Sequence, residues 1–112
     1  MTVDLLVPRP TQCEPFRGSS ARFVPARPGC YVLASFSRTV LYVGLASNLR
    51  KRMAAHFDDP RKTGATASGR AVWFFWIESA ETSKIERTWM NICIQHEGRL
   101  PEMNRVFSPV VI

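Results

Sequence analysis

The stretch PGCYVLASFSRTVLYVGLASNLRKRMAAHF, residues 28–57, decides the fold of this protein. Two runs of β-forming residues, Cys30–Phe36 and Val40–Val43, are separated by three residues and predict a hairpin. The first run contains Tyr31 and the second contains Tyr42, and Gly44 is expected to end the second strand. If the strands pair, the two hydroxyls can converge, although a strand tyrosine is usually a core residue with its hydroxyl at the rim.

A basic helix follows the hairpin. Ser47 or Asn48 can cap a helix that runs to about Phe57, because Leu49, Met53 and Phe57 form an apolar stripe at helical spacing. The stripe predicts which side of this helix faces the core.

Arg52 and His56 are four residues apart on this helix and therefore share a face. That face borders the apolar stripe, whereas Arg50 and Lys51 point away from it. An arginine held there can grip a phosphate oxygen with its rigid donor fork, and a nearby histidine can transfer a proton near neutral pH. The alternative is an ordinary solvated basic face with His56 packed against Phe57.

The rest of the chain predicts one more strand and one more long helix. Residues 58–69 are expected to form a polar loop, Val72–Ile77 is an apolar run short enough for a buried strand, and a helix of about Glu81–Glu97 is closed by Gly98. After Pro101 the chain is expected to be extended, with residues 110–112 as a candidate edge strand. The order β–β–α–β–α predicts one α+β domain with a small antiparallel or mixed sheet.

The N-terminal part of the chain is rich in proline. Residues 1–28 contain five of the eight prolines and cannot form a long helix. We expect residues 1–27 to be an extended lead-in that packs on the domain, with a short strand near Arg22–Pro25. Residues 28–112 then form the functional domain.

The composition is that of a basic globular chain. Its 112 residues carry 15 Lys plus Arg against 9 Asp plus Glu, a net charge of +6, which favours a polyanionic partner such as nucleic acid. Three scattered cysteines without a CxxC pair are typical of reduced thiols. No apolar run approaches the roughly 20 residues that span a bilayer, and no signal peptide is evident. We therefore expect a cytoplasmic protein that does not bind membranes.

Glu86 has two interpretations. The sequence SKIE at 83–86 fits a capping box, in which Glu86 only accepts a backbone N–H. If the helix begins earlier, at Ser79 or Thr82, Glu86 shares a face with Cys93 and leans toward the interior. A carboxylate is costly there unless it is paired or bound to a metal. From the local sequence alone, both interpretations stay open.

Taken together and in this order, these residues resemble the GIY-YIG nuclease domain family. PGCY at 28–31 corresponds to the family's first motif, LYVG at 41–44 to the second, and LRKRMAAHF at 49–57 to the helix with its Arg and its His or Tyr. IER at 85–87 resembles the metal-binding Glu position, and EMNR at 102–105 supplies the Asn found near the end of the domain. The resemblance covers about residues 28–105 and implies a small three-stranded antiparallel sheet flanked by helices.

The resemblance also implies a one-metal endonuclease that acts on DNA. Glu86 would hold one divalent ion, Mg²⁺ or Mn²⁺, on the scissile phosphate. Tyr31 or Tyr42 would activate or position the attacking water, with His56 in the same relay. Arg52 would stabilise the negative charge that develops on the phosphate.

Three further positions would support this site. Asn104 would tie the C-terminal segment to it and fix its geometry, and Gly29 and Gly44 belong to the two motifs. One site cuts one strand, so a homodimer or a recruiting protein partner stays open for this stand-alone, single-domain nuclease.

Basic residues outside this set predict the DNA-binding surface, because phosphate contacts position DNA without reading its sequence. The candidates are Arg50, Lys51, Arg61, Lys62 and Arg70. Lys51 or Lys62 could also replace the polar or basic residue that many members of the family carry directly after the second motif, where this chain has Leu45. The rival prediction is a non-catalytic nucleic-acid-binding module that uses the same basic surface.

Overall fold

A four-stranded sheet forms the centre of the molecule, which is a computed structural model that describes residues 1–106, with side chains as far as Asn104. The strands are β1 (Gln12–Pro15), β2 (Gly29–Ala34), β3 (Val40–Ala46) and β4 (Trp73–Glu78). Their order is β1-β4-β2-β3, and each pair is antiparallel. The predicted antiparallel sheet flanked by helices is confirmed, but the sheet has four strands instead of the predicted three. The candidate strand at residues 110–112 lies outside the described residues.

The fourth strand comes from the lead-in. The short strand expected near Arg22–Pro25 is wrong, because Gly18–Phe23 forms a 3₁₀ helix and the strand is Gln12–Pro15 instead. The residues Gly-Ser-Ser at the start of that helix favour turns over strands. β1 lies at the edge of the sheet, where its terminal Pro15 is tolerated because an edge strand needs fewer ladder N–H groups.

The β2–β3 hairpin is confirmed, with Tyr31 opposite Gly44 and Leu33 opposite Tyr42. The prediction that Gly44 ends the second strand was wrong, because β3 continues to Ala46. Gly44 remains within the ladder, where the absence of a side chain leaves room for the ring of Tyr31, its cross-strand partner.

Four α-helices accompany the sheet in the described part of the chain: α1 (Leu49–Phe57), α2 (Pro60–Thr63), α3 (Thr82–Glu97) and α4 (Glu102–Val106). α1 and α3 confirm the two predicted helices; the side chain of Asn48 caps α1 and Gly98 ends α3 in the left-handed conformation, at φ 72°. Two predictions were wrong here. Residues 58–69 are not all loop, because Asp59 caps α2. After Pro101, Glu102–Val106 is helical rather than extended.

The two faces of the sheet bury separate apolar clusters. The side that carries Tyr31, Leu33 and Phe74 packs against Leu49 and Met53 of α1. The opposite side packs against α3, mainly through Trp89 and Cys93, and also buries Val3 and Leu6 of the lead-in. The first of these faces is the one on which the candidate site lies. In the part of the chain that the structure describes, no helix is both long enough and apolar enough to cross a membrane.

Candidate active site

Tyr31 of β2 and His56 of α1 form the buried centre of the site. The Oη atom of Tyr31 lies 2.6 Å from Nε2 of His56. Tyr31 is 0% exposed and His56 is 7% exposed. The ring of Tyr31 also stacks on Phe74 of β4, with centroids 5.1 Å apart. Packing on one side and the hydrogen bond on the other therefore hold the hydroxyl and the imidazole in one arrangement.

Tyr42 of β3 joins this pair from the neighbouring strand. The hairpin register makes the two tyrosines diagonal neighbours on one face of the sheet. The ring of Tyr42 lies 5.9 Å from that of Tyr31 and 5.6 Å from that of His56, measured between centroids. Tyr42 is only half-buried. The three rings form a triad, defined as Tyr31, Tyr42 and His56, in which Tyr42 is the member that reaches solvent.

Two glycines make this packing possible. A Cβ atom at Gly44 would lie 2.6 Å from both Cζ and Oη of Tyr31, which occupies the space above the glycine. A Cβ atom at Gly29 would collide with the carbonyl oxygen of Ile77 and lie 2.7 Å from Cδ1 of Leu49. Gly44 thus admits the ring of Tyr31, and Gly29 lets β2, β4 and the start of α1 approach one another closely.

Burial keeps the triad uncharged. It raises the pKa of Tyr31, with a further increase from Tyr42, while Arg52 opposes the rise. Burial also raises the pKa of Tyr42, against the effects of its contact with Tyr31 and of Arg52. For His56, burial and then the charges of Lys62 and Arg52 lower the pKa to about 4. At neutral pH the imidazole is therefore neutral, so its Nε2 can accept a hydrogen bond from the Tyr31 hydroxyl.

Arg52 lies beside the triad on the exposed side of α1. The sequence places Arg52 and His56 on one face of the helix; the structure buries His56 and leaves Arg52 in solvent, close enough to act on the pKa of both tyrosines. Arg52, Lys51 and Asn48 line an open cleft of about 400 Å³ at the start of α1. A negatively charged ligand in this cleft would meet the cationic side chains of Arg52 and Lys51.

Lys62 lies where the sequence does not predict it. The sequence places it in a polar loop, but α2 turns it inward, and its side chain is only 3% exposed. Its Nζ atom lies 4.3 Å from the centroid of the Tyr42 ring and 3.8 Å from Oδ2 of Asp59. The signal was present in Asp59-Pro60, since aspartate at the N-cap followed by proline at the first helical position predicts a helix start.

Glu86 lies on α3, the helix that packs against the opposite face of the sheet. α3 begins at Thr82, so the capping box at 83–86 is wrong, and Glu86 lies within the helix rather than at its cap. Burial raises the pKa of its carboxyl, and its charge in turn raises the pKa of Tyr42. Cys30, the neighbour of Tyr31, donates its S–H to the carbonyl of Thr82 at 3.1 Å and so links β2 to this end of α3. Among the described residues, no ion pair or side-chain hydrogen bond engages the Glu86 carboxylate.

Asn104 of α4 is hydrogen-bonded to β3 next to Tyr42. Its Oδ1 accepts from the N–H of Val43, and its Nδ2 donates to the carbonyl of Val43, both at 2.9 Å. Asn104 is 9% exposed. Because β3 is an edge strand of the described sheet, the carboxamide supplies the pairing that a fifth strand would otherwise provide at Val43.

The remaining candidate DNA contacts are exposed, and three of them also make contacts within the protein. Arg50 donates through Nε to the carbonyl of Val24 at 2.8 Å and so fastens the lead-in to α1. Arg61 pairs with Asp59 at 3.0 Å, and Arg70 donates to the carbonyl of Thr63 at 3.2 Å. Lys51 extends into solvent beside Arg52.

Comparison with known families points to one domain type. The family model of the UvrC-like GIY-YIG domain matches residues 27–73, which include both tyrosine motifs and all of α1. UvrABC system protein C of Methanococcus maripaludis is 49% identical over 35 residues, 31% of this chain and 7% of that protein. UvrABC system protein C of Corynebacterium aurimucosum is 32% identical over 87 residues, 72% of this chain and 12% of that protein. This chain thus spans only a small part of the length of these relatives.

A solved structure matches over most of both chains. It is the crystal structure of the GIY-YIG N-terminal endonuclease domain of UvrC from Thermotoga maritima, a point mutant bound to its catalytic divalent cation. The TM-score is 0.50 at 14% sequence identity, and the match covers 76% of this chain and 90% of that one. At this level of identity the match establishes the fold.

Proposed function

Because this chain belongs to the GIY-YIG nuclease domain family, we propose that it is an endonuclease that hydrolyses DNA phosphodiester bonds with the help of one divalent metal ion. The observation that carries this proposal is the packing of a neutral, hydrogen-bonded Tyr31–His56 pair against half-buried Tyr42. Exposed Arg52 lies beside them, and the Glu86 carboxylate is near enough to raise the pKa of Tyr42. The structural neighbour from Thermotoga maritima is itself described as an endonuclease domain with a catalytic divalent cation.

The donor set fits a hard divalent ion such as Mg²⁺ or Mn²⁺. No group of three or more His, Cys, Asp or Glu side chains that could enclose an ion occurs within the described residues. Mg²⁺ does not need such a cage, since it usually keeps several waters and binds through one or two carboxylates plus substrate phosphates. Glu86 would be the protein ligand. When bound, the ion would neutralise charge on the scissile phosphate and favour ionisation of a water.

The roles of the triad residues follow from their exposure to solvent. Tyr42, which reaches solvent, orients the attacking water, whereas fully buried Tyr31 cannot contact it directly. Tyr31 connects to His56, whose neutral imidazole at pH 7 can accept the hydrogen bond of the Tyr31 hydroxyl and so fix its orientation. Arg52, which lines the cleft, stabilises the charge that develops on the phosphate in the transition state.

The DNA backbone would pass along the exposed side of α1. Lys51 and Arg52 line the cleft there, and the net charge of +6 favours a polyanion. Arg50, Arg61 and Arg70 would add phosphate contacts around it. One such site cuts one strand, so a double-strand cut requires a second copy or two successive reactions.

A metal-dependent nicking assay tests this proposal. Purified protein is incubated with supercoiled plasmid in Mg²⁺, Mn²⁺ or EDTA, and conversion to open circles is followed on gels. We expect nicking only with metal, and a loss of at least 100-fold in Glu86→Gln because the ion loses its protein ligand. Glu81→Gln, an exposed carboxylate at the start of the same helix, is the matched control and should nick like wild type.

The rival proposal, a non-catalytic nucleic-acid-binding module, makes the opposite prediction in the same experiment. Binding needs the positive charge but not the carboxylate. Protein that retards duplex, nicked, branched or single-stranded DNA on gels, yet cuts none of them with any metal, would establish the module and refute the nuclease. We expect Glu86→Gln to retain DNA binding while it loses cleavage.

A further inference from the structure

Lys62 is a lysine in an unusual place. Its side chain is 3% exposed, although lysine is rarely buried because removing an ammonium group from water is costly. The local sequence builds this position. Asp59 caps α2 by accepting from the N–H of Arg61 at 3.0 Å, and Pro60 occupies the first turn. The short helix that results turns the Lys62 side chain toward the triad.

The surroundings of Lys62 show what its charge acts on. The Nζ atom lies 4.3 Å from the centroid of the Tyr42 ring, within the range of a cation–π contact. It also lies 3.8 Å from the carboxylate of Asp59. A lysine that binds DNA phosphate extends into water, as Lys51 does on the neighbouring helix. The buried ammonium of Lys62 faces the interior of the site.

We propose that Lys62 is a positioning residue of the nuclease site, whose ammonium group holds the Tyr42 ring in place from within the fold instead of contacting DNA. This inference rests on the proposed function for its kinetic consequences. Tyr42 is the member of the triad that reaches solvent, so it has the most freedom to rotate. A cation fixed against one side of the ring restricts that freedom and keeps its hydroxyl next to Tyr31.

The same charge also acts on His56. The groups that face His56 are Tyr31 of β2, Tyr42 of β3, Arg52 of α1, and Asp59 and Lys62 on the α2 side. After burial, Lys62 makes the largest contribution to the low pKa of His56, and Asp59 opposes it. Burial lowers the pKa of Lys62 itself to about 8, so the side chain stays mostly protonated at pH 7.

Substitution of Lys62 by an uncharged side chain of similar shape tests the proposal. In Lys62→Met, kcat for nicking should fall roughly 10- to 30-fold, the factor that a desolvated cation–π contact is worth, while KM changes less than about twofold. Lys62→Arg, which keeps a cation at the ring, should recover most of kcat. Lys51→Met should do the reverse and raise KM, because it removes a phosphate contact. Lys84→Met, on the exposed side of α3, should change neither.

A second readout does not depend on cleavage. The chain has two histidines, so NMR titration of the imidazole signals, assigned with His96→Gln, reports on His56 directly. The pKa of His56 should rise in Lys62→Met and stay as in wild type in Lys51→Met. Lys62→Gln serves with the same readouts if circular dichroism shows that Lys62→Met is unfolded.

The outcomes distinguish failure of the role proposed for Lys62 from failure of the proposed nuclease function. If Lys62→Met raises KM with kcat unchanged, Lys62 is a DNA-binding lysine and the inference is overturned. An unchanged His56 pKa in a folded Lys62 variant also contradicts it. If wild-type protein cuts no DNA, the proposed function fails, while a shift in the His56 pKa still supports the position of Lys62 against the triad.

Discussion

Replacing Gly44 by alanine tests how tightly Tyr31 is held, because the added methyl group would occupy the space of the tyrosine ring. The new Cβ would lie 2.6 Å from Cζ and Oη of Tyr31, where ordinary contacts are 3.4–4 Å. One of the two groups must therefore move by about 1 Å. Tyr31 has little room to do so, since it is 0% exposed, stacked on Phe74 and hydrogen-bonded to His56.

The expected loss of stability follows from these contacts. Overpacking a filled core typically costs about 1–3 kcal/mol, and weakening the Tyr31–His56 hydrogen bond adds about 1 kcal/mol. We expect Gly44→Ala to lower the free energy of unfolding by about 2–4 kcal/mol. At about 4 °C per kcal/mol for a domain of this size, the melting temperature should fall by roughly 8–16 °C.

Urea unfolding followed by circular dichroism measures this loss. Gly18→Ala is the matched control, because a Cβ atom there meets nothing within 4 Å. In Tyr31→Phe the hydroxyl and its hydrogen bond to His56 are absent, while Cζ still blocks the methyl group, so the penalty of Gly44→Ala should shrink by about 1 kcal/mol in a double-mutant cycle. Equal stability of Gly44→Ala and Gly18→Ala, or strict additivity in the cycle, would refute the close packing of Tyr31 on Gly44.

Two further predictions concern Asn104 and His56. Asn104→Ala removes both hydrogen bonds to Val43 and should lower the free energy of unfolding, measured in urea, by about 2–3 kcal/mol. Asn91→Ala, at an exposed position, should change it by less than about 0.5 kcal/mol. Equal losses in the two variants would contradict the hydrogen bonding of Asn104 to Val43. The pKa of His56 is about 4 in the folded protein and 6.5 in the unfolded chain, so the unfolded chain binds the proton first as pH decreases. The free energy of unfolding should therefore fall by on the order of 3 kcal/mol between about pH 6.5 and about pH 4. His56→Gln should lose this part of the pH dependence and exposed His96→Gln should keep it; equal slopes of urea stability against pH in all three proteins would contradict a neutral His56.

The elements that the sequence predicts well are those with local signals. The hairpin follows from two β-forming runs, α1 from an Asn48 cap and an apolar stripe, and α3 from helical spacing closed by Gly98. β1 could not be predicted in this way. Gln12–Pro15 is short, contains no strong β-forming residue and ends in proline, and it is a strand only because the exposed edge of β4 offers it hydrogen bonds. Pairing with a neighbouring strand, and not the β propensity of its own residues, makes such a segment a strand.

The sequence groups the candidate site residues, but it does not show which of them the fold buries and which it leaves exposed. Helical spacing places Arg52 and His56 on one face, yet it does not show that the fold buries the imidazole and leaves the guanidinium in solvent. Lys62 is the clearest case. Whether a lysine faces water or a tyrosine ring depends on the direction of α2, which α1 and α4 determine by packing. No sequence period reports that direction.

Three consecutive residues of β3 explain the second tyrosine motif in physical terms. Tyr42 contributes its ring to the triad, Val43 presents its N–H and carbonyl to Asn104, and Gly44 leaves the space that Tyr31 fills. Two of these three contributions are made by the backbone or by the absence of a side chain. At Val43 the side chain faces α3 on the opposite side of the sheet, so a residue of similar size and apolarity suffices there. The motif therefore acts mainly as a packing requirement that brings Tyr31, Tyr42 and Asn104 together, and the charged groups that would act on DNA are supplied by the surrounding helices.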